Sequence, residues 1–200
     1  MQEIGVVKFV QIQRSPLKQG ENPNRYYDPA GLMRVDGLKL TDAGALGMNG
    51  DGMAIVDIHH KGHPETRHKD GNGISFGLTA NYAIMREKFG DHITDGIAGE
   101  NIIIESQRTL SPDDMGRQVA LSDQSSGQTF LFTLTRVVKP CKEYSSFCMG
   151  SSLSGDALKE TLQFLDNGRR GYFLRLKDPQ QHPTIGEGCR VFLGDRDAAG

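Results

Sequence analysis

Glycine fills 25 of the 200 positions, well above the usual ~7%, and this constrains the fold more than any other feature. A chain broken so often cannot sustain long helices and favours tight turns between short strands. The β-rich runs agree: residues 6–12, 54–58, 101–105, 118–121, 129–138, 171–176 and 190–193 are each short and bounded by Gly, Pro, Asp or Asn. Within the longest run, Phe130, Phe132 and Leu134 are apolar at alternate positions before polarity changes face, as expected of a strand with one wetter end at a barrel mouth. The segment 183–193 reads as a hairpin closing the sheet.

Two segments carry helical spacing. Leu78, Tyr82, Met85 and Phe89 form one stripe with Gly90 as a C-cap, and Leu158, Leu162 and Leu165 form another. Ser154 or Asp156 would cap the second helix and Gly168 would end it. Residues 13–50, with Pro16, Pro23, Pro29 and a Tyr26-Tyr27 pair, predict a long loop. One or two short strands are expected in it near 34–40, and it is placed to act as a lid. Residues 195–200 read as a frayed tail. The expectation is one mainly β domain over 1–200, a barrel of about seven strands with peripheral helices.

The formal charge is −2, so no global field draws the chain to nucleic acid or an anionic membrane, and any anion site must be local. No apolar run approaches the ~20 residues of a membrane helix, and the first residues lack the blocks of a secretory signal. A cytoplasmic location is the simplest reading. Three cysteines, Cys141, Cys148 and Cys189, cannot all pair within the chain and read as thiols. Aromatics are only 7% and Trp is absent, which disfavours a stacking platform for single-stranded nucleic acid. Gly50-Asp51-Gly52 and Gly71-Asn72-Gly73 do not sit between strand and helix and are discounted as nucleotide loops.

Lys139-Pro140-Cys141-Lys142 is the sharpest local signal. It places a thiol just past a strong strand, where Pro140 cannot continue the ladder. Arg136, Lys139 and Lys142 would stabilise its thiolate, the form that attacks sulfur or binds a soft metal. A buried cysteine acting as a small hydrophobe is the alternative.

Residues 59–68 hold four of the six histidines, including His59, His60 and His63, with Lys61 between them. Gly62 and Pro64 break the helix that would align zinc ligands. The segment then reads as an anion-holding loop or simply as a solvated one. Gly99-Glu100-Asn101 puts an acid and an amide at a strand edge, and Arg169-Arg170 precedes another strand, where two guanidinium groups can fork a phosphate or carboxylate or simply lie solvated on the turn.

Taken in order, Gly50-Asp51, the run from Asp57 to Pro64, Gly99-Glu100-Asn101, Lys139-Pro140-Cys141-Lys142, the run from Gly168 to Tyr172, and Ile185-Gly186-Glu187-Gly188 with Gly194-Asp195 resemble the molybdenum-cofactor sulfurase C-terminal (MOSC) family over about 45–195. The resemblance is to its stand-alone bacterial members and implies a β-barrel. It implies that Cys141 ligates molybdenum in a pterin cofactor, or carries a persulfide, and that Gly99, Glu100 and Asn101 lie beside the pterin. By charge, His59, His60, Lys61, His63, Arg136, Lys139, Arg169 and Arg170 would line the same pocket. Lys139 stands where many stand-alone relatives carry Arg.

The function so implied is a molybdenum-dependent reductase of N-hydroxylated small molecules. The alternatives are a sulfur carrier delivering from Cys141, with Cys148 able to resolve it, and a non-enzymatic barrel binding an anion or a partner. The chain lacks the aminotransferase-like, ferredoxin and extra N-terminal barrel segments found in larger relatives, so electrons or sulfur would come from a separate protein.

Overall fold

The computed structural model describes residues 1–123 and 126–196. In chain order the strands are β1 (Gln2–Gln13), β2 (Lys18–Gln19), β3 (Tyr26–Tyr27), β4 (Leu32–Val35), β5 (Gly37–Thr41), β6 (Gly44–Met48), β7 (Ala54–Val56), β8 (Ser75–Leu78), β9 (Ile102–Glu105), β10 (Arg117–Ser122), β11 (Thr129–Val137), β12 (Tyr172–Leu176), β13 (Thr184–Gly186) and β14 (Arg190–Arg196). The helices are α1 (Thr79–Phe89), α2 (Lys142–Met149) and α3 (Gly155–Leu165). Among the described residues no helix is long and apolar enough to cross a membrane.

Seven strands close a barrel in the order β1, β14, β10, β11, β12, β8, β9 and back to β1. The long β1 makes closure possible, because it pairs with β14 at its start, β9 in its middle and β4 at its end. At Gly5 the register with β14 slips by one residue, and the glycine Cα sits against the Glu105 carbonyl with no room for a side chain. All barrel pairs are antiparallel except β8 with β9, which α1 connects as a crossover.

Ile102, Ile103 and Ile104 are all buried because β9 is covered on both faces. Ile102 and Ile104 point into the barrel with Val7, Val10, Phe76 and Phe132. Ile103 points outward with Phe9 into a second core built with Tyr82, Met85, Tyr144 and Leu165. Those residues come from α1, α2 and α3, so the helices form an outer layer on one side of the barrel.

Several expectations are corrected. The region 13–50 carries the short strands expected near 34–40, β4 on the barrel and β5 in a second sheet ordered β13, β5, β6, β7, together with the unexpected β2–β3 ribbon and β6. The segment 183–193 is no hairpin. β13 pairs with β5, and the turn at Gly188 passes the chain back to the barrel, its N–H donating to the Val7 carbonyl. A third helix, α2, starts immediately after Cys141. Gly90 ends α1 as expected. α3 begins after Ser154, whose hydroxyl makes no capping bond, and ends at Asp166, before Gly168. Asp195 and Arg196 belong to β14, and the remainder of the expected tail, 197–200, lies outside the described residues.

Gly5→Ala should lower stability by about 3 kcal/mol, since the added methyl displaces the β1–β9 seam. Urea unfolding should show a lower midpoint with an unchanged slope.

Candidate functional site

Cys141 stands where β11 has ended and α2 begins. Its own backbone is extended (φ −134°, ψ 160°), and its carbonyl accepts the Ser145 N–H, the first turn of the helix. Pro140 stops the ladder and the thiol is left at the positive end of α2, partly exposed. Opposite it lies Arg170, 7% exposed, with Nη1 4.0 Å from the Cys141 sulfur. The guanidinium is fixed by donation from Nη2 to the Ala98 carbonyl (2.8 Å) and lies 4.0 Å over the ring of Tyr144.

Glu100 is buried next to this cation. Its Oε2 accepts the Tyr82 hydroxyl at 2.5 Å, and the side chain fills the space that side chains at positions 77 and 171 would need. Burial pushes the Glu100 carboxyl above the ordinary range, against the hydrogen bond from Tyr82 and the attraction of Arg170. Burial likewise raises the hydroxyls of Tyr27, Tyr82 and Tyr144, so these groups remain protonated. Desolvation opposes the charge on Arg170, but its net shift is upward and the guanidinium stays cationic.

Three buried polar atoms in this region have no hydrogen-bond partner: Glu100 Oε1, Arg170 Nε and Ser145 Oγ. Such atoms are rare in a folded protein and concentrate at sites built for something else.

The rim was not legible in the sequence. Glu143, in the first turn of α2, is paired with Lys18 at 3.4 Å and Arg25 at 3.7 Å. Burial would raise its carboxyl, but its own backbone N–H, Lys18 and the Cys141 thiol together hold it below the ordinary carboxylate range. Tyr27, from β3, packs edge-on to Tyr144 with ring centroids 5.0 Å apart and donates its hydroxyl to the Ile97 carbonyl. The β2–β3 ribbon therefore lies against α2 beside Cys141.

Of the basic residues expected around the thiol, Arg170 reaches it. Arg136 lies 4.8 Å over the Phe173 ring on the outer face of the barrel, because a register slip between Leu134 and Arg136 breaks the alternation. Lys139 is exposed and pairs with Asp166. Arg169 donates to the Phe164 carbonyl and stacks on that ring. Lys142 is exposed. Cys148 is fully buried with its thiol pushed up to about 11 by burial. It sits seven positions along from Cys141, about 10 Å in rise, beyond disulfide reach without unwinding α2.

The Gly99-Glu100-Asn101 turn joins this site to the histidine loop. Gly99 accepts Gln13 Nε2 through its carbonyl (2.7 Å). Asn101 is tied internally, accepting from the backbone and hydroxyl of Ser75 and donating to the buried Asp57 carboxylate at 3.1 Å. His59 turns toward Asp57 as well, Nδ1 lying 3.2 Å from Oδ1. The other histidines are spent locally: His60 Nδ1 accepts the Gly62 N–H, and His63 Nδ1 accepts that of Glu65. Lys61 opens instead into a cleft of about 400 Å³ with Asp42, His68, Asp70 and Arg175, which does not include Cys141. Among the described residues no three His, Cys, Asp or Glu side chains gather as a metal-ligating group.

No protein-family model and no curated protein matches the chain. Solved structures do. The YUAD protein from Bacillus subtilis superposes with a TM-score of 0.60 at 11% identity over 96% of both chains. A protein described as hypothetical gives 0.56 at 14% identity, over 96% of this chain and 68% of that one. YiiM from Geobacillus stearothermophilus gives 0.48 at 14% identity, over 96% and 74%. The first two likenesses establish a shared fold.

Because the folded Glu100 holds its proton to higher pH than an unfolded glutamate, above about pH 4.5 the unfolded chain binds fewer protons and stability falls as pH rises. Glu100→Gln removes this loss. Its melting temperature should exceed that of the unsubstituted protein at about pH 8 and differ less at about pH 4.

Proposed function

We propose that this protein is of the MOSC type and that Cys141 ligates the molybdenum of a pterin cofactor, serving the reduction of N-hydroxylated small molecules. One observation carries the reading: the Cys141 sulfur lies partly open at a helix N-terminus, 4.0 Å from the buried Arg170 guanidinium. A cation in that position favours negative charge on sulfur, and a thiolate suits a soft, redox-active metal.

The residues present fit such a group. Arg170 Nε, Ser145 Oγ and Glu100 Oε1 are buried polar atoms without partners, and Arg170 and Ser145 both touch Cys141. A polar, hydrogen-bonding heterocycle would satisfy them. When bound, the cofactor supplies a metal centre that accepts and donates electron pairs. The chain's own part is to fix the sulfur through Pro140 and α2, to hold Arg170 against it through Ala98 and Tyr144, and to cover that side with the β2–β3 ribbon. Lys18 and Arg25, already neutralising Glu143, add positive charge at the rim for a phosphate. Electrons come from a separate donor protein.

Protein expressed in a cell that makes the cofactor should carry molybdenum at about one atom per chain, with a releasable pterin. Cys141→Ser should lose most of both. Full metal and reductase activity in Cys141→Ala would overturn the assignment. A labile extra sulfur on Cys141 without molybdenum would replace it with sulfur carriage, in which Cys148, two helical turns away and buried, takes no part.

A further inference from the structure

Asp57 is fully buried, and every part of its carboxylate is occupied. Oδ1 accepts the His59 backbone N–H at 2.7 Å and faces the His59 ring Nδ1 at 3.2 Å. Oδ2 accepts the Gln13 backbone N–H at 2.8 Å and Asn101 Nδ2 at 3.1 Å. A local Asx turn would need the first of these bonds alone. The other three come from the His59 ring, from β1 and from the entry to β9, and they brace the carboxylate so that it grips the imidazole. With a carboxylate on Nδ1, the proton of a neutral ring sits there and the lone pair sits on Nε2. Nε2 makes no hydrogen bond among the described residues, and the side chain is 25% exposed.

This pair lies at the same mouth as Cys141. Ala98 accepts from Arg170, which faces the sulfur, while Gly99 accepts from Gln13 and Asn101 donates to Asp57. Cys141 and His59 are thus tied, through Arg170 and through Asp57, to the two ends of one four-residue stretch, 98–101, at the end of the barrel where β11 stops and β12, β8 and β9 begin.

We propose that His59, oriented by Asp57, is the proton-transfer residue of this site, an inference that rests on the reductase reading above. Reduction of an N-hydroxylated substrate breaks the N–O bond. The nitrogen takes two electrons from the donor protein and one proton, and the oxygen takes a second proton and leaves as water. Leaving as water in place of hydroxide needs an acid at the oxygen. Imidazolium at His59 supplies that proton from Nε2, and Asp57 stabilises the charge while it exists and restores the tautomer afterwards.

Two measurements test this. In the cofactor-free protein, nitrogen-15 spectra of the histidine rings should show His59 with its proton on Nδ1. A ring carrying its neutral-form proton on Nε2 would overturn the proposal. In molybdenum-loaded protein, His59→Asn keeps an amide donor toward Asp57 but has no proton to give. It should lower kcat and kcat/KM together by about 100-fold with metal content unchanged. His59→Gln should do the same and serves if the first variant folds poorly. Full turnover in either loaded variant sinks the proton-transfer role and leaves the reductase reading standing, whereas a protein that takes up no molybdenum sinks both.

Discussion

A guanidinium buried to 7% exposure is the constraint around which this side of the molecule is arranged. Removing such an ion from water costs several kcal/mol unless neighbours replace the lost hydration. Arg170 receives one carbonyl, from Ala98, and one aromatic face, from Tyr144. The remaining candidates for its counter-charge are the Glu100 carboxyl and the Cys141 sulfur. Burial favours the protonated form of Glu100 and of the three nearby tyrosines. The Cys141 sulfur, 4.0 Å from Nη1, is the neighbour of this cation that reaches solvent.

The same arrangement explains why a polar cluster is tolerated inside a hydrophobic layer. Phe9, Ile103, Met85 and Leu165 make the second core close-packed around it, while Glu100 Oε1, Arg170 Nε and Ser145 Oγ go without partners. A chain selected for stability alone would replace these groups with apolar ones. Their persistence beside a reachable thiol is the pattern of a site held ready at the expense of the fold.

Much of the barrel was legible from local chemistry. Glycine-bounded runs located most barrel strands, and three consecutive isoleucines marked a strand buried on both faces. A short strand near 34–40 is legible, since Leu38 and Leu40 alternate toward the core, but the second sheet it belongs to is not, because the prolines and glycines of 13–50 favour loop and hide β6 as its partner. α2 is hidden because Pro140 marks the end of a strand locally and does not announce a helix, although Tyr144, Phe147 and Cys148 with Gly150 in the left-handed region form a helical stripe and its stop. Within the site, sequence proximity was the wrong measure. Arg136 and Lys139 are near Cys141 in the chain but are turned away by a register slip and by Asp166. Arg170, 29 positions on, meets the sulfur. Lys18, Arg25 and Tyr27 come from the segment expected as a loop placed to act as a lid, and nothing in their local pattern singles these three out.

The most direct test of the central claim is the rate at which iodoacetamide alkylates Cys141 at neutral pH in the cofactor-free protein, compared between the unsubstituted chain and Arg170→Gln, with labelled sites identified by mass spectrometry. If the buried guanidinium activates the sulfur as proposed, the substitution should slow the reaction by about tenfold or more. An equal or faster rate in a variant that melts cooperatively would contradict the account.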